Sequence, residues 1–100
     1  MSDASGPVVV MYRFVLIVAG RESKSVLAEA NLRELCEERL AGQYEISIVD
    51  VLLDYRSALE ANVLLTPAVK LVDPLPPVTL FGTLTDRDRV APALRMGARK

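Results

Sequence analysis

The residues able to do chemistry in this chain are few. There is one cysteine, Cys36, and no histidine. An intramolecular disulfide, a zinc finger and a Cys-His pair are excluded by inventory, and the commonest general base near neutral pH is missing. Thiol exchange by one protein needs a second thiol to resolve the mixed disulfide. Cys36 falls inside an expected helix, on its apolar side, where a cysteine packs as a small inert hydrophobe. Gly20 followed by Ser23, Lys24 and Ser25 has one glycine and lacks the G-x-x-x-x-G-K-[ST] spacing that wraps backbone amides around phosphates. Asp50, Asp54 and Asp73 stand at expected strand ends. No close spacing makes them converge for magnesium or acid-base work, and capping and turn formation account for Asp54 and Asp73. Asp86, Arg87, Asp88 and Arg89 alternate in sign at an expected helix start. They read either as a solvated face with acids well placed in the first turn or as an electrostatic selector for a protein partner.

The elements that position these residues centre on Leu64–Pro77, LLTPAVKLVDPLPP. Pro67 belongs at or just before a strand start, because proline has no N–H for a ladder. Pro74, Pro76 and Pro77 end that strand, over Ala68–Val72, and turn the chain. Upstream, residues 1–11 read as a flexible leader and 12–100 as one domain. Tyr12–Ala19 is a nearly continuous β-branched and aromatic run, expected as a central strand buried on both faces. A helix capped by Ser23 or Ser25 is expected to run to about Leu40, with Ala28, Leu32, Leu35 and Cys36 on its apolar side and Gly42 as its stop. Tyr44–Val51 alternates, placing Tyr44, Ile46 and Ile48 on one face of a strand parallel to the first. Asp54 is placed to cap a short helix over Tyr55 to about Leu64. Val78–Phe81 is expected as an antiparallel edge strand, ended by Gly82. Thr85 is expected to open a last helix, in which Pro92 either forces a kink or begins a new segment ending at Gly97. The sum is β-α-β-α-β-β-α, an α/β domain with a mixed four-stranded sheet and helices on its faces.

Twelve basic and 13 acidic residues leave a net charge of -1, which gives no long-range attraction for nucleic acid or an anionic membrane. No secretory leader and no stretch of the roughly 20 apolar residues needed to span a bilayer is visible, so the expected location is cytoplasmic.

Several segments together resemble the KaiB family, small thioredoxin-related proteins of bacterial circadian clocks. They are VAG at Val18–Gly20, NLRELCEERLAGQYEISIVDV at Asn31–Val51, LLTPAVKL at Leu64–Leu71 and the prolines to Pro77. The resemblance implies a thioredoxin-like fold, no catalysis and no cofactor. It also implies binding to a KaiC-like ATPase or a sensor histidine kinase, and homo-oligomers (dimer or tetramer). The family has a second arrangement of its C-terminal half, of order βαββααβ, so that ground state is the alternative architecture. The junction where thioredoxins carry C-x-x-C is here Gly20-Arg21-Glu22-Ser23-Lys24-Ser25, without a thiol. Thr66-Pro67 matches the place of their cis-proline, giving Pro67 a structural role.

The chain also departs from the family pattern. Glu22-Ser23 replaces a threonine-proline pair, Val78-Thr79-Leu80-Phe81 replaces a basic pair and an isoleucine-rich strand, and Thr83 replaces an aspartate. The expected function is therefore that of a KaiB-like paralogue acting on a divergent KaiC-type or kinase partner in circadian-type or stress signalling. Gly20, Arg21 and Lys24 at the first junction, with Thr83, Asp86, Arg87 and Arg89 further on, are the expected partner-binding residues. The competing readings are a degenerate thiol protein using Cys36 and a structural oligomer subunit joined through the apolar strand Val78–Phe81. Tyr44 and Tyr55 are candidate interface aromatics.

Overall fold

A computed structural model describes residues 11–54, 56, 59 and 65–96. Their element order is β1 (Tyr12–Val18), α1 (Ser23–Arg39), β2 (Tyr44–Asp50), β3 (Ala68–Asp73), β4 (Val78–Phe81) and a C-terminal helix, here α2 (Arg87–Ala93). The sheet runs β2-β1-β3-β4, with β1 and β2 parallel and β1–β3 and β3–β4 antiparallel. This is the mixed thioredoxin-like sheet expected from the sequence. Most of the helix expected over Tyr55–Leu64 and the leader 1–11, apart from Met11, lie outside the described residues.

β1 is central because its sequence is apolar on both pleat faces. Phe14, Leu16 and Val18 join Val69 and Leu71 of β3 under Ala28, Leu32, Leu35 and Cys36 of α1 and Val90, Ala91 and Leu94 of the C-terminal segment. On the opposite face Ile17 and Ala68 are buried with Val15, Val49 and Val51 against them. Each fully buried leucine here contributes roughly 1.5–3 kcal/mol over an exposed one. Truncating Leu32, which is fully enclosed, therefore costs about 2–5 kcal/mol once the residual cavity is included. β2 is an edge strand, and there the expected face is only partly covered: Tyr44 and Ile46 pack against the core, while Ile48 is exposed.

Local details correct the sequence reading at two helix starts. α1 begins at Ser23 with Glu22 as its N-cap residue and no side-chain cap bond. Neither serine caps it; Ser25 is buried, its Oγ accepting the Ala19 N–H at 3.1 Å. α2 begins at Arg87 after Asp86, not at Thr85, because Leu84 adopts φ +62° and takes the preceding chain out of helical geometry. Pro92 does not start a new segment. It lies in the last turn of a helix that ends at Ala93, where the N–H it lacks would have met the exposed Asp88 four residues back.

Candidate partner-binding surface

The strand register gathers distant segments at one end of the sheet. Val18 pairs with Asp50, Ile17 with Ala68 and Ala68 with Phe81. The chain leaving β1, leaving β2, entering β3 and leaving β4 therefore emerges side by side. Backbone and side-chain bonds fix these crossings. The Gly82 N–H donates to the Pro67 carbonyl at 2.9 Å. The Asp50 carboxylate accepts the Gly20 N–H at 2.9 Å and the Leu52 N–H at 2.9 Å. Asp50 is thus a brace for the β1–α1 junction. Gly20 sits at φ +58°, and a Cβ there would meet Leu52 Cδ1 at 3.0 Å.

Four large apolar side chains stand open on this end: Leu52 is 72% exposed, Leu53 87%, Leu65 65% and Phe81 53%. Exposed Arg21 and Lys24 follow Gly20 on the same end. An apolar patch with a charged margin is the composition of a protein-interaction surface. Pro67 is buried beneath it, and its bond to Thr66 is cis, as are Asp73-Pro74 and Leu75-Pro76.

The remaining candidates lie around the corner. From Gly82 the chain turns back beside α1, held by Asn31 Nδ2 donating to the Thr83 carbonyl at 2.8 Å. Thr83, Asp86 and Arg89 line an open groove of about 520 Å³ between β4 and α2, floored by Leu80, Leu84, Val90 and Ala93. Arg87 is directed elsewhere. Its guanidinium pairs with Glu34 and, at 2.7 Å, with Glu38 of α1, which pins α2 to α1. The candidates therefore form two adjoining patches, with Arg87 supporting one of them.

Two tethers escaped the sequence reading. Arg95 Nη2 donates to the carbonyls of Pro74 and Pro76, each at 2.5 Å. The Arg95 carbonyl accepts the Tyr12 hydroxyl at 2.7 Å. One residue thus ties the proline turn, the end of the last helix and the first strand together.

Cys36 lies in the core, and burial, with a smaller push from Glu37 against the pull of Arg33, raises its thiol to about 12. A thiol held neutral and enclosed is neither nucleophile nor redox centre. Tyr44 donates to the Glu37 carboxylate; that bond first, then desolvation, raises its phenol to about 12. Tyr55 lies outside the described residues. Among the described residues there is no cluster of three or more metal-ligating side chains, and no helix is long and apolar enough to cross a membrane.

Comparison with known proteins places this geometry. The thioredoxin-like sheet superimposes on the solution structure of the N-terminal domain of Synechococcus elongatus SasA. That match has a TM-score of 0.66 and 17% identity, over 94% of this chain and 92% of the other. Chloroplastic thioredoxin z matches with a TM-score of 0.61 and 16% identity, over 72% of this chain and 66% of the other. Those likenesses establish the fold. The sequence is 37% identical over 79 residues to the circadian clock oscillator protein KaiB of Synechococcus elongatus, covering 79% of this chain and 78% of the relative. It is 35% identical over 79 residues to that of Trichodesmium erythraeum, covering 79% and 76%. The family model for the KaiB domain matches residues 15–96. With the sheet, the thiol-free first junction and that match in agreement, the chain belongs to the KaiB family, a family of non-catalytic regulators.

Proposed function

We propose that this protein is a KaiB-type regulator that docks on a KaiC-like ATPase or on a sensor histidine kinase in the cytoplasm, in circadian-type or stress signalling. The observation that carries this reading is the sheet end itself. Leu52, Leu53, Leu65 and Phe81 are exposed there together, beside Arg21 and Lys24, on a junction braced by Asp50. Removing such side chains from water on docking is the main favourable term in association. The two lysine and arginine charges select for an acidic rim on the partner.

Thr83, Asp86 and Arg89 extend the surface around the β4 edge, and Arg87 contributes by holding α2 against α1. The structural likeness to the SasA N-terminal domain supports a partner system in which a kinase sensor domain and this chain compete for one ATPase surface. The departures at Glu22-Ser23, Thr79 and Thr83 favour a partner other than that of the core clock.

Native mass spectrometry of the chain with a KaiC-like ATPase ring, and separately with a kinase sensor domain, tests the proposal. A defined stoichiometric complex with either is expected. Free chain alone in both mixtures, at concentrations well above micromolar, overturns it.

A further inference from the structure

One backbone bond just beyond β4 fixes which of its polar groups the sheet leaves unused. The register that sets Phe81 against Ala68 sets Gly82 against Pro67, and the Gly82 N–H donates to the Pro67 carbonyl at 2.9 Å. In an antiparallel pair, bonded and non-bonded positions alternate. Val78 and Leu80 therefore bond to their partners Leu71 and Val69 of β3, while the N–H and C=O groups of Thr79 and Phe81 point away from the sheet. Among the described residues β4 pairs with β3 alone. The strand carries neither charge nor proline, the devices that keep an edge from templating another strand. The opposite edge, β2, has Glu45 and Asp50 along its length.

The groove between β4 and α2 lies along this same rim, lined by Thr79, Leu80 and Phe81 on one side and by Leu84, Val90 and Ala93 on the other. Leu80 packs toward the core cluster that holds Leu84 and Val90, so the groove opens on the face to which Leu80 points. A strand laid along the rim would bond to Thr79 and to Phe81 through two of its residues. The residue between them would stand opposite Leu80 and project to the same face, into the groove. Exposed Asp86 and Arg89 also line the groove. Among the described residues neither of their side chains joins an ion pair, whereas Arg87 between them is engaged with α1.

We infer that β4 and the groove beside it receive an extended segment of the signalling partner as an additional outer strand. The segment carries an apolar side chain opposite Leu80, flanked by residues of both charges that answer Asp86 and Arg89. Main-chain bonds to Thr79 and Phe81 supply attachment, and the groove and its two charges supply selection. This inference rests on the docking reading above and adds to it the chemistry of the segment recognised.

The test combines residue-resolved amide hydrogen exchange with binding affinity, for the chain alone, with a KaiC-like ATPase ring and with a kinase sensor domain. In the free chain the Thr79 and Phe81 amides should exchange at least ~10-fold faster than that of Leu80, and the partner that binds should slow both by at least ~10-fold. Thr79→Pro deletes an outward N–H and spares the ladder to β3. Ala93→Lys sends a long charged stem into the groove and leaves the strand untouched, so its binding decides the matter if Thr79→Pro does not fold. Each folded variant should bind the partner at least ~10-fold more weakly than wild type. A complex in which Thr79 and Phe81 stay unprotected, or which both folded variants form as well as wild type, overturns the inference and leaves the docking reading standing. Absence of any complex overturns both. Protection of Thr79 and Phe81 that grows with the concentration of the free chain assigns the edge to a second copy and likewise overturns the inference.

Discussion

Replacing Gly20 by alanine separates two physical effects at the junction beneath the proposed binding surface. The residue sits at φ +58°, and an added Cβ would approach Leu52 Cδ1 to 3.0 Å. The first effect is backbone strain, about 1–2 kcal/mol for an ordinary L-residue held in the left-handed region. Reduced freedom of the unfolded chain returns about 0.4–1 kcal/mol of it. The second effect is steric, and it is small here, because the contact is the far end of a side chain that is 72% exposed and swings away freely. Strain should therefore win, with a net loss of roughly 1 kcal/mol, or about 4–8 °C in Tm for a domain of this size. Urea unfolding of Gly20→Ala, Leu52→Ala and the double variant measures both terms. The coupling energy between the two sites should stay below about 0.5 kcal/mol, and Gly20→Asn should cost less than Gly20→Ala because asparagine tolerates this region. A Leu52→Ala background that abolishes the Gly20→Ala penalty would make the clash, and not backbone strain, the cause.

Other consequences can be read in the same way. Cys36 should resist an aqueous thiol probe at pH 8 in the folded protein and react at once in urea. Its thiol stays neutral in the fold up to about 12 but ionises near 9 when unfolded. Below pH 9 it therefore leaves stability unchanged, and stability should fall as pH rises from 9 toward 12, a trend that Cys36→Ala flattens in alkaline unfolding curves. Arg87→Ala should cost less than about 1 kcal/mol, since its side chain is 41% exposed and such pairs are screened by water; the loss should shrink further in high salt. Arg95→Ala removes both bonds to the proline-turn carbonyls and should cost roughly 1–3 kcal/mol. Arg95→Lys should recover only part, as an ammonium lacks the planar fork. Chemical denaturation checks both.

The sheet was readable because its strands are written in locally consistent residues. β1 is β-branched or aromatic at all positions but Arg13 and Leu16, β3 is bounded by Pro67 and Pro74, and β4 falls between Pro77 and Gly82. α1 was readable because Ala28, Leu32, Leu35 and Cys36 recur at helical spacing above one face. What escaped depends on tertiary geometry. Ser25 looked like a cap, yet its hydroxyl serves the Ala19 amide across the junction. Thr85 looked like a helix start, but the turn at Leu84 delays the helix to Arg87. Arg87 read as one member of a surface charge run, while its partners Glu34 and Glu38 lie roughly 50 positions away in the chain. Asp50, Asn31 and Arg95 act through bonds to carbonyls and amides of remote loops, and backbone groups carry no signature in a sequence. The open leucines were visible as residues; their convergence at one sheet end required the register.

The docking surface proposed above is the sheet end after β1 and β2. The most direct measurement is the affinity of the chain for its ATPase or kinase partner when Arg21 and Lys24 are both changed to glutamate and Leu53 to serine. The control is Arg33→Glu, which alters an exposed charge on α1 already paired with Glu29 at 3.0 Å. Binding is expected to weaken at least ~10-fold with the sheet-end changes and to stay near wild type for the control. Equal binding by all of these proteins, each with an unchanged fold, would contradict it.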